Sequence, residues 1–282
     1  SRTPGPTVTP SRLLPLLVLL SLLGCPDRPS SALAQPPTPT PSLESLRIQL
    51  ADPEESKRLE ALHKLHALGS LDAPLLLRSL TDTSPSLRAE TLRLGQPLAT
   101  SDPEVALRFL ALANDKSSVV RLRLLQLLPA LPREQTSTPL LRILLAEAGN
   151  PKATPLALAS LPEDPFPFLA TLLLHARWKE KTKDKAAFLQ AAADALCTPP
   201  ASRAGALLDF AAQYPGLPPW TRTALLRGAF LGAPGSSPAN LPKIQLPAPP
   251  KSLEPLIQTK ENDEIRKILS TPDARIAWPQ KP

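Results

Sequence analysis

The residue types that could bind a metal ion lie close together in one short segment. Glu60, His63 and His66 are spaced so that their side chains occupy neighbouring sectors of a helix. Imidazole and carboxylate groups are zinc ligands, but a structural zinc site needs a fourth ligand and none is evident. We therefore interpret both histidines as ordinary residues on the flank of a helix, with a metal site as the alternative, and predict no metal ligand.

The sequence also lacks the pattern of a catalytic site. Cys197 ends an Ala-rich segment, and no base lies near it in sequence to activate the thiol, so we interpret it as a buried structural residue. His175 lies in an apolar run and is interpreted as a histidine at the core or its edge. Glycine-rich phosphate loops, G-x-S-x-G and H-E-x-x-H are absent from the sequence. We predict a non-enzymatic protein without a cofactor.

One basic segment is a candidate contact surface. Residues 177–185 contain five basic and two acidic residues around one tryptophan. Trp178, Lys179 and Lys181 are the candidate partner contacts, and they would suit an acidic protein or anionic lipid head groups. A solvated segment between helices is the alternative interpretation.

The composition indicates what kind of elements position these residues. The chain of 282 residues is 42% hydrophobic but only 4% aromatic, and it contains 38 prolines. Few aromatic and β-branched residues disfavour a sheet protein, and prolines are excluded from helix interiors. Many short helices separated by prolines are therefore expected. The net charge of +7 comes from alternating charges without a basic stripe interleaved with aromatics, so no nucleic-acid partner is predicted.

A pattern of about thirty residues repeats along the first half of the chain. An acidic or polar turn precedes an arginine and a leucine-rich run in each unit, and Arg58, Arg88 and Arg121 lie 30 and 33 residues apart. A fixed period of this length is typical of stacked helical repeats. Leucines recur at helical spacing in each unit, giving apolar faces that a single helical hairpin cannot bury.

This pattern resembles HEAT-type repeats, in which an aspartate in one loop and an arginine near the start of the second helix recur. Asp52 with Arg58 and Asp82 with Arg88 match it, and Asn114 or Asp115 with Arg121 matches more loosely. The resemblance implies an all-α fold, an α-solenoid of four to six HEAT-like hairpins. The predicted structural signature consists of Asp52, Arg58, Asp82, Arg88 and Arg121. Thr154 occupies the arginine position of a fourth unit, so the polar contacts are expected to end there.

Longer stretches resemble the helical region of PVC-type haem-binding or membrane-bound dehydrogenase proteins. They are residues 120–127, 144–151, 157–161, 219–228 and 278–282. That family also has a propeller and a cytochrome c domain, but C-x-x-C-H is absent from this sequence. The resemblance therefore implies a stand-alone or truncated helical module, or one whose redox partner is a separate chain.

The first residues are typical of an export signal. Arg12 precedes an apolar run of eleven residues, which is too short to span a bilayer. Leu22-Leu23-Gly24-Cys25 resembles a bacterial lipobox, with Cys25 as the lipidated residue, and Ala32-Leu33-Ala34 is a competing cleavage site. Both remain open. We predict an exported protein of the periplasm or cell envelope, whose only membrane contact would be a lipid anchor at Cys25.

The predicted organisation follows from these observations. Residues 1–34 are the signal, 35–42 a Pro/Thr linker, 43–233 the α-solenoid, 234–255 a Pro-rich linker, and 256–282 a short helix with an extended tail. The predicted function is a scaffold for protein–protein interaction, with a redox or dehydrogenase protein as one candidate partner. The alternative is a helical spacer in a c-type cytochrome or dehydrogenase electron-transfer system.

Overall fold

The computed structural model describes residues 42–198, 202–258 and 262–279. The predicted signal (1–34), Cys25 and all but the last residue of the Pro/Thr linker lie outside these ranges. The described part is mostly helical, with fifteen α-helices and one two-residue strand pair, so the predicted all-α class is confirmed. No helix in this described part is both long and apolar enough to cross a membrane.

The helices are short and follow one another closely. Their bounds in chain order are α1 Leu43–Gln49, α2 Glu55–Ala67, α3 Ala73–Ser79, α4 Pro85–Leu94, α5 Gln96–Ser101, α6 Pro103–Ala111, α7 Ser118–Leu127, α8 Arg133–Ala146, α9 Ala153–Leu158, α10 Pro165–Leu174, α11 Lys183–Leu196, α12 Ser202–Gln213, α13 Pro219–Leu231, α14 Glu254–Gln258 and α15 Asp263–Leu269. Five 3-10 turns, at Leu112–Asn114, Leu128–Ala130, Ala176–Trp178, Pro238–Asn240 and Lys251–Leu253, and strands β1 (Ile244–Gln245) and β2 (Ile276–Ala277) complete the described elements.

Side-chain caps and prolines explain where many helices begin. Ser42, Asp72, Ser84, Asp102, Asp164 and Thr182 each accept a backbone N–H of the first turn that they precede. Prolines occupy the first turn of several helices, where the missing N–H costs no hydrogen bond. Pro139 departs from the predicted exclusion of prolines, because it lies buried inside α8. Gly69 follows α2 with a φ of 64°, a left-handed conformation that glycine adopts readily and that ends the helix.

The helices pack in two rows. In one row α2 contacts α4, α4 contacts α7, and the contacts continue through α9, α11 and α13 to α15. In the other row α3 contacts α6, α6 contacts α8, and α8 contacts α10. Leucines at helical spacing, such as Leu62 and Leu65 of α2 and Leu76 of α3, are fully buried. One continuous apolar core therefore runs through the described helices.

The segment after α13 packs back onto the helices. The sequence predicts a linker over residues 234–255, but Ile244 and Leu253 are buried and Ser252 Oγ donates to Asp209 Oδ1 of α12 at 2.6 Å. β1 pairs in parallel with β2, with Ile244 opposite Ile276. The predicted short helix is two helices, α14 and α15, and the tail beyond them contributes Arg275 and Ile276 to the interior. A high proline content disfavours helix, but it does not prevent these residues from packing onto the helices.

Candidate functional site

The arginines of the repeating pattern join successive units. Arg58, at the start of α2, donates from Nε and Nη2 to the two carboxylate oxygens of Asp82, each at 2.9 Å. Its Nη1 donates to the carbonyl oxygens of Asp52 at 2.9 Å and Pro53 at 3.0 Å. The guanidinium therefore binds the backbone oxygens of its own turn and the carboxylate of the next turn.

The next two arginines repeat this geometry. Arg88 donates from Nε and Nη2 to Asp115 at 2.8 and 2.7 Å, and from Nη1 to the carbonyl of Asp82 at 2.8 Å. Arg121 donates from Nε to Glu147 Oε1 at 2.8 Å and from Nη1 to the carbonyl of Asp115. We call the three pairs, Arg58–Asp82, Arg88–Asp115 and Arg121–Glu147, the polar ladder.

The ladder connects neighbouring units. Each guanidinium binds the carboxylate of the following unit and only the backbone of its own. Glu147 is missing from the predicted signature, although the acidic positions 52, 82, 115 and 147 lie 30, 33 and 32 residues apart. That spacing is the signal that could have found it.

Two of the ladder carboxylates, Asp115 and Glu147, are buried among donors that lower their pKa. The side chains of Asp115 and Glu147 are only 6% and 5% exposed. Burial opposes ionisation of Asp115, but hydrogen bonds from Arg88 and the Ser117 N–H outweigh it and lower its pKa. Burial also opposes ionisation of Glu147, yet donors from Asn150, Ser118 and Arg121 lower its pKa. In these two pairs, a buried carboxylate is therefore matched by a guanidinium and by further hydrogen-bond donors.

The ladder ends where the arginine position is lost. Glu147 is its last carboxylate, and Thr154 stands at the next arginine position. One unit further, 31 residues after Thr154, a lysine holds the corresponding turn in a different way. Lys185 is buried, and its Nζ donates to the carbonyl oxygens of Arg177 at 2.6 Å and Glu180 at 3.1 Å.

A groove opens between α11, α13 and the loop that follows α13. Its volume is about 860 Å³. Exposed Lys181, Lys183 and Arg227 lie around it, while Ala186 and Ala187 form part of its floor. Among the described residues, no acidic side chain lines this groove. Glu264 lies beyond its lining and accepts a hydrogen bond from Arg227 at 3.4 Å. We call this surface the basic groove.

Scans of the chain against protein-family models, curated proteins and solved structures find no match.

The predicted contact residues separate into two groups. Trp178 is only 2% exposed and packs edge-on against Phe188, with ring centroids 5.5 Å apart, so it is a core residue rather than a surface contact. Lys179 and Lys181 are exposed. The carbonyl of Lys179 accepts the indole N–H of Trp220 at 2.9 Å, which fixes the backbone beside the basic groove.

The histidine segment of α2 is occupied by ion pairs and hydrogen bonds. His63 Nε2 lies 2.6 Å from Glu90 Oε1 of α4, and Glu60 pairs with Lys64 at 2.6 Å. Hydrogen bonds from Arg93 and then from His63 lower the pKa of Glu90 to about 2, against the opposing effect of burial. Among the described residues, no group of three His, Cys, Asp or Glu side chains is placed to hold a metal ion.

Cys197 lies at the end of α11, fully buried. Burial raises the pKa of its thiol to about 11, so the thiolate is scarce at neutral pH. Arg275, from the C-terminal segment, is the nearby cation that opposes this rise in the pKa. Its Nη1 lies 2.7 Å from Asp194 Oδ1. This arrangement suits packing and does not activate a nucleophile.

Proposed function

We propose that the protein is a non-catalytic, exported scaffold that binds another protein through an α-solenoid of HEAT-like hairpins. The polar ladder carries this proposal. Three consecutive guanidinium groups fasten turns that lie about thirty residues apart, which is the contact expected when equivalent helical hairpins stack in a fixed register. The two rows of helices also support it.

The basic groove is the surface that we assign to the partner. Lys181 and Lys183 form no ion pair within 4 Å in the part of the chain that the structure describes, so neither is matched by a carboxylate of that part. The alanine floor leaves room for side chains to enter. Charge complementarity therefore favours an acidic segment of a protein partner, docked along α11 and α13.

The proposal also concerns which protein binds the chain and where in the cell. The family resemblance of the helical stretches makes a redox or dehydrogenase protein one candidate, in which case the chain would act as a helical spacer beside it. The apolar N-terminal run supports export, with anchoring through Cys25 if the lipobox is used. The mass of the mature protein would distinguish lipidation at Cys25 from cleavage after Ala34.

Affinity capture with charge-reversal variants tests the scaffold. We expect the full chain and the variant Arg108→Glu, which reverses an exposed charge on α6, to enrich the same protein from an envelope extract. The variant Lys183→Glu should lose most of it, because an acidic segment would then meet a like charge. Quantitative mass spectrometry of the captured proteins provides the measurement, and a haem protein among them would support the electron-transfer alternative.

Two results would count against the proposal. If no protein is enriched specifically over a blank matrix, the scaffold function is wrong. If Lys183→Glu captures as much partner as the unmodified chain, the basic groove is not the docking surface.

A further inference from the structure

A second concave surface lies on the loop side of the repeats, between three consecutive units. Its volume is about 600 Å³. It is bounded by the turn that precedes α7, by the second half of α8 and by the turn that follows α10. These elements contribute Lys116, Arg142, His175 and Arg177 to its wall. We call it the loop pocket.

The cations of the loop pocket exceed its anions. Asp115 also lines it, but both oxygens of that carboxylate already accept from Arg88. Arg121 lines it as well and is matched by Glu147. Lys116, Arg142 and Arg177 form no ion pair within 4 Å with any carboxylate of the described residues. Three positive charges therefore face one cavity without a counter-ion from the described part of the protein.

Local hydrogen bonds orient part of the wall. The backbone N–H of Arg177 donates to Nδ1 of His175 at 3.2 Å, so the neutral imidazole carries its proton on Nε2 and can donate it. Nη1 of Arg177 donates to the carbonyl of Leu145 at 3.0 Å, which holds that guanidinium beside α8. The pocket thus offers donors that are partly fixed before any ligand arrives.

We propose that the loop pocket binds a phosphate group. Donors contributed by three separate elements suit a tetrahedral anion with three or more oxygens better than a planar carboxylate with two. Arginine forks and a lysine ammonium are the usual partners of such an anion. The volume exceeds that of a free ion and accommodates a phosphate ester as well. This inference is independent of the basic groove and of its protein partner.

Calorimetric titration of the full chain tests the proposal with defined probes. We would titrate inorganic phosphate, O-phosphoserine and citrate separately at pH 7.5 and constant ionic strength. Saturable binding of one phosphate or phosphoserine per chain is expected. Equal affinity for the two would show that the phosphate group alone is recognised. Tighter binding of phosphoserine would show that the ligand is a phosphate ester.

Matched variants locate the site. Arg142→Gln and Lys116→Gln each remove one charge from the loop pocket, and each should weaken phosphate binding about tenfold. Arg108→Gln makes the same change on α6, outside the pocket, and should leave affinity unchanged. Helical circular dichroism checks that each variant is folded.

The proposal is overturned by any of three results. They are an absence of saturable phosphate binding, equal weakening by Arg108→Gln, or tighter binding of citrate than of either phosphate compound. Loss of partner capture in Lys183→Glu would not affect it, because that residue lies in the other surface.

Discussion

At the residue scale, the guanidinium group explains why arginine occurs at three equivalent positions. Arg58, for example, must reach two carbonyl oxygens of its own turn and a carboxylate of the next, and only a planar fork with five N–H donors can serve both. Lysine has no such fork. A buried carboxylate without its arginine would be an uncompensated charge. The stability of each ladder pair therefore depends on both of its residues.

Replacing Arg88 with Gln should therefore destabilise the fold by about 3–5 kcal/mol, because Asp115 would stay buried without its counter-charge. Urea unfolding followed by circular dichroism at pH 7 measures the change. Arg108→Gln, at an exposed position on α6, should alter the free energy of unfolding by less than about 0.5 kcal/mol.

The same comparison has a defined pH dependence. The pKa of Asp115 is lowered in the folded chain, so its stabilising effect is complete above its ordinary pKa of 3.8 and is lost as the pH falls through the folded value. The difference between the unmodified chain and Arg88→Gln should shrink in acid. A difference that stays constant down to about pH 3 would show that Asp115 does not depend on Arg88.

At the scale of elements, α11 and α13 approach each other closely, and a glycine permits it. A Cβ at Gly228 would lie 2.7 Å from Gln190 Cα and would also collide with the carbonyl oxygen of Gln190. Backbone atoms cannot move aside as the end of a side chain can. The spacing of these two helices also defines the walls of the basic groove.

Gly228→Ala should consequently destabilise the chain by about 1–3 kcal/mol, since one of the two helices must shift. Gly205→Ala is the matched control, because a Cβ at Gly205 in α12 would meet no atom of another element within 4 Å. Alanine there should stabilise the helix by about 0.5–1 kcal/mol. Thermal unfolding of both variants gives the measurement. Equal effects of the two substitutions on the thermal stability would show that α11 and α13 do not approach each other as closely as described.

At the scale of the whole molecule, residues far apart in sequence close the C-terminal end. Arg275 is 2% exposed, its backbone N–H donates to the carbonyl of Phe230 at 2.8 Å, and its Nη1 donates to the carbonyl of Asp194 at 3.0 Å. The last described segment thereby joins α11 and α13. This segment also contributes Ile276 to the apolar core.

The thiol of Cys197 should report whether this closure holds. In a Cys25→Ser background, the folded protein should react slowly with a thiol reagent at about pH 8, because Cys197 is buried and its pKa is raised to about 11. Arg275→Gln should increase the rate about tenfold by loosening the segment. Lys267→Gln, an exposed change on α15, should not. Rapid reaction of the unmodified chain would disprove the closure.

The sequence by itself determined the helical class and the three arginines that bridge units. These follow from local causes, since leucine spacing, proline position and capping residues act within one or two turns. Only the tertiary structure decided that Arg88 binds Asp115, that Trp178 is buried, and that the proline-rich residues 234–255 pack against helices. Such pairings depend on the relative placement of separate elements, which no local pattern encodes.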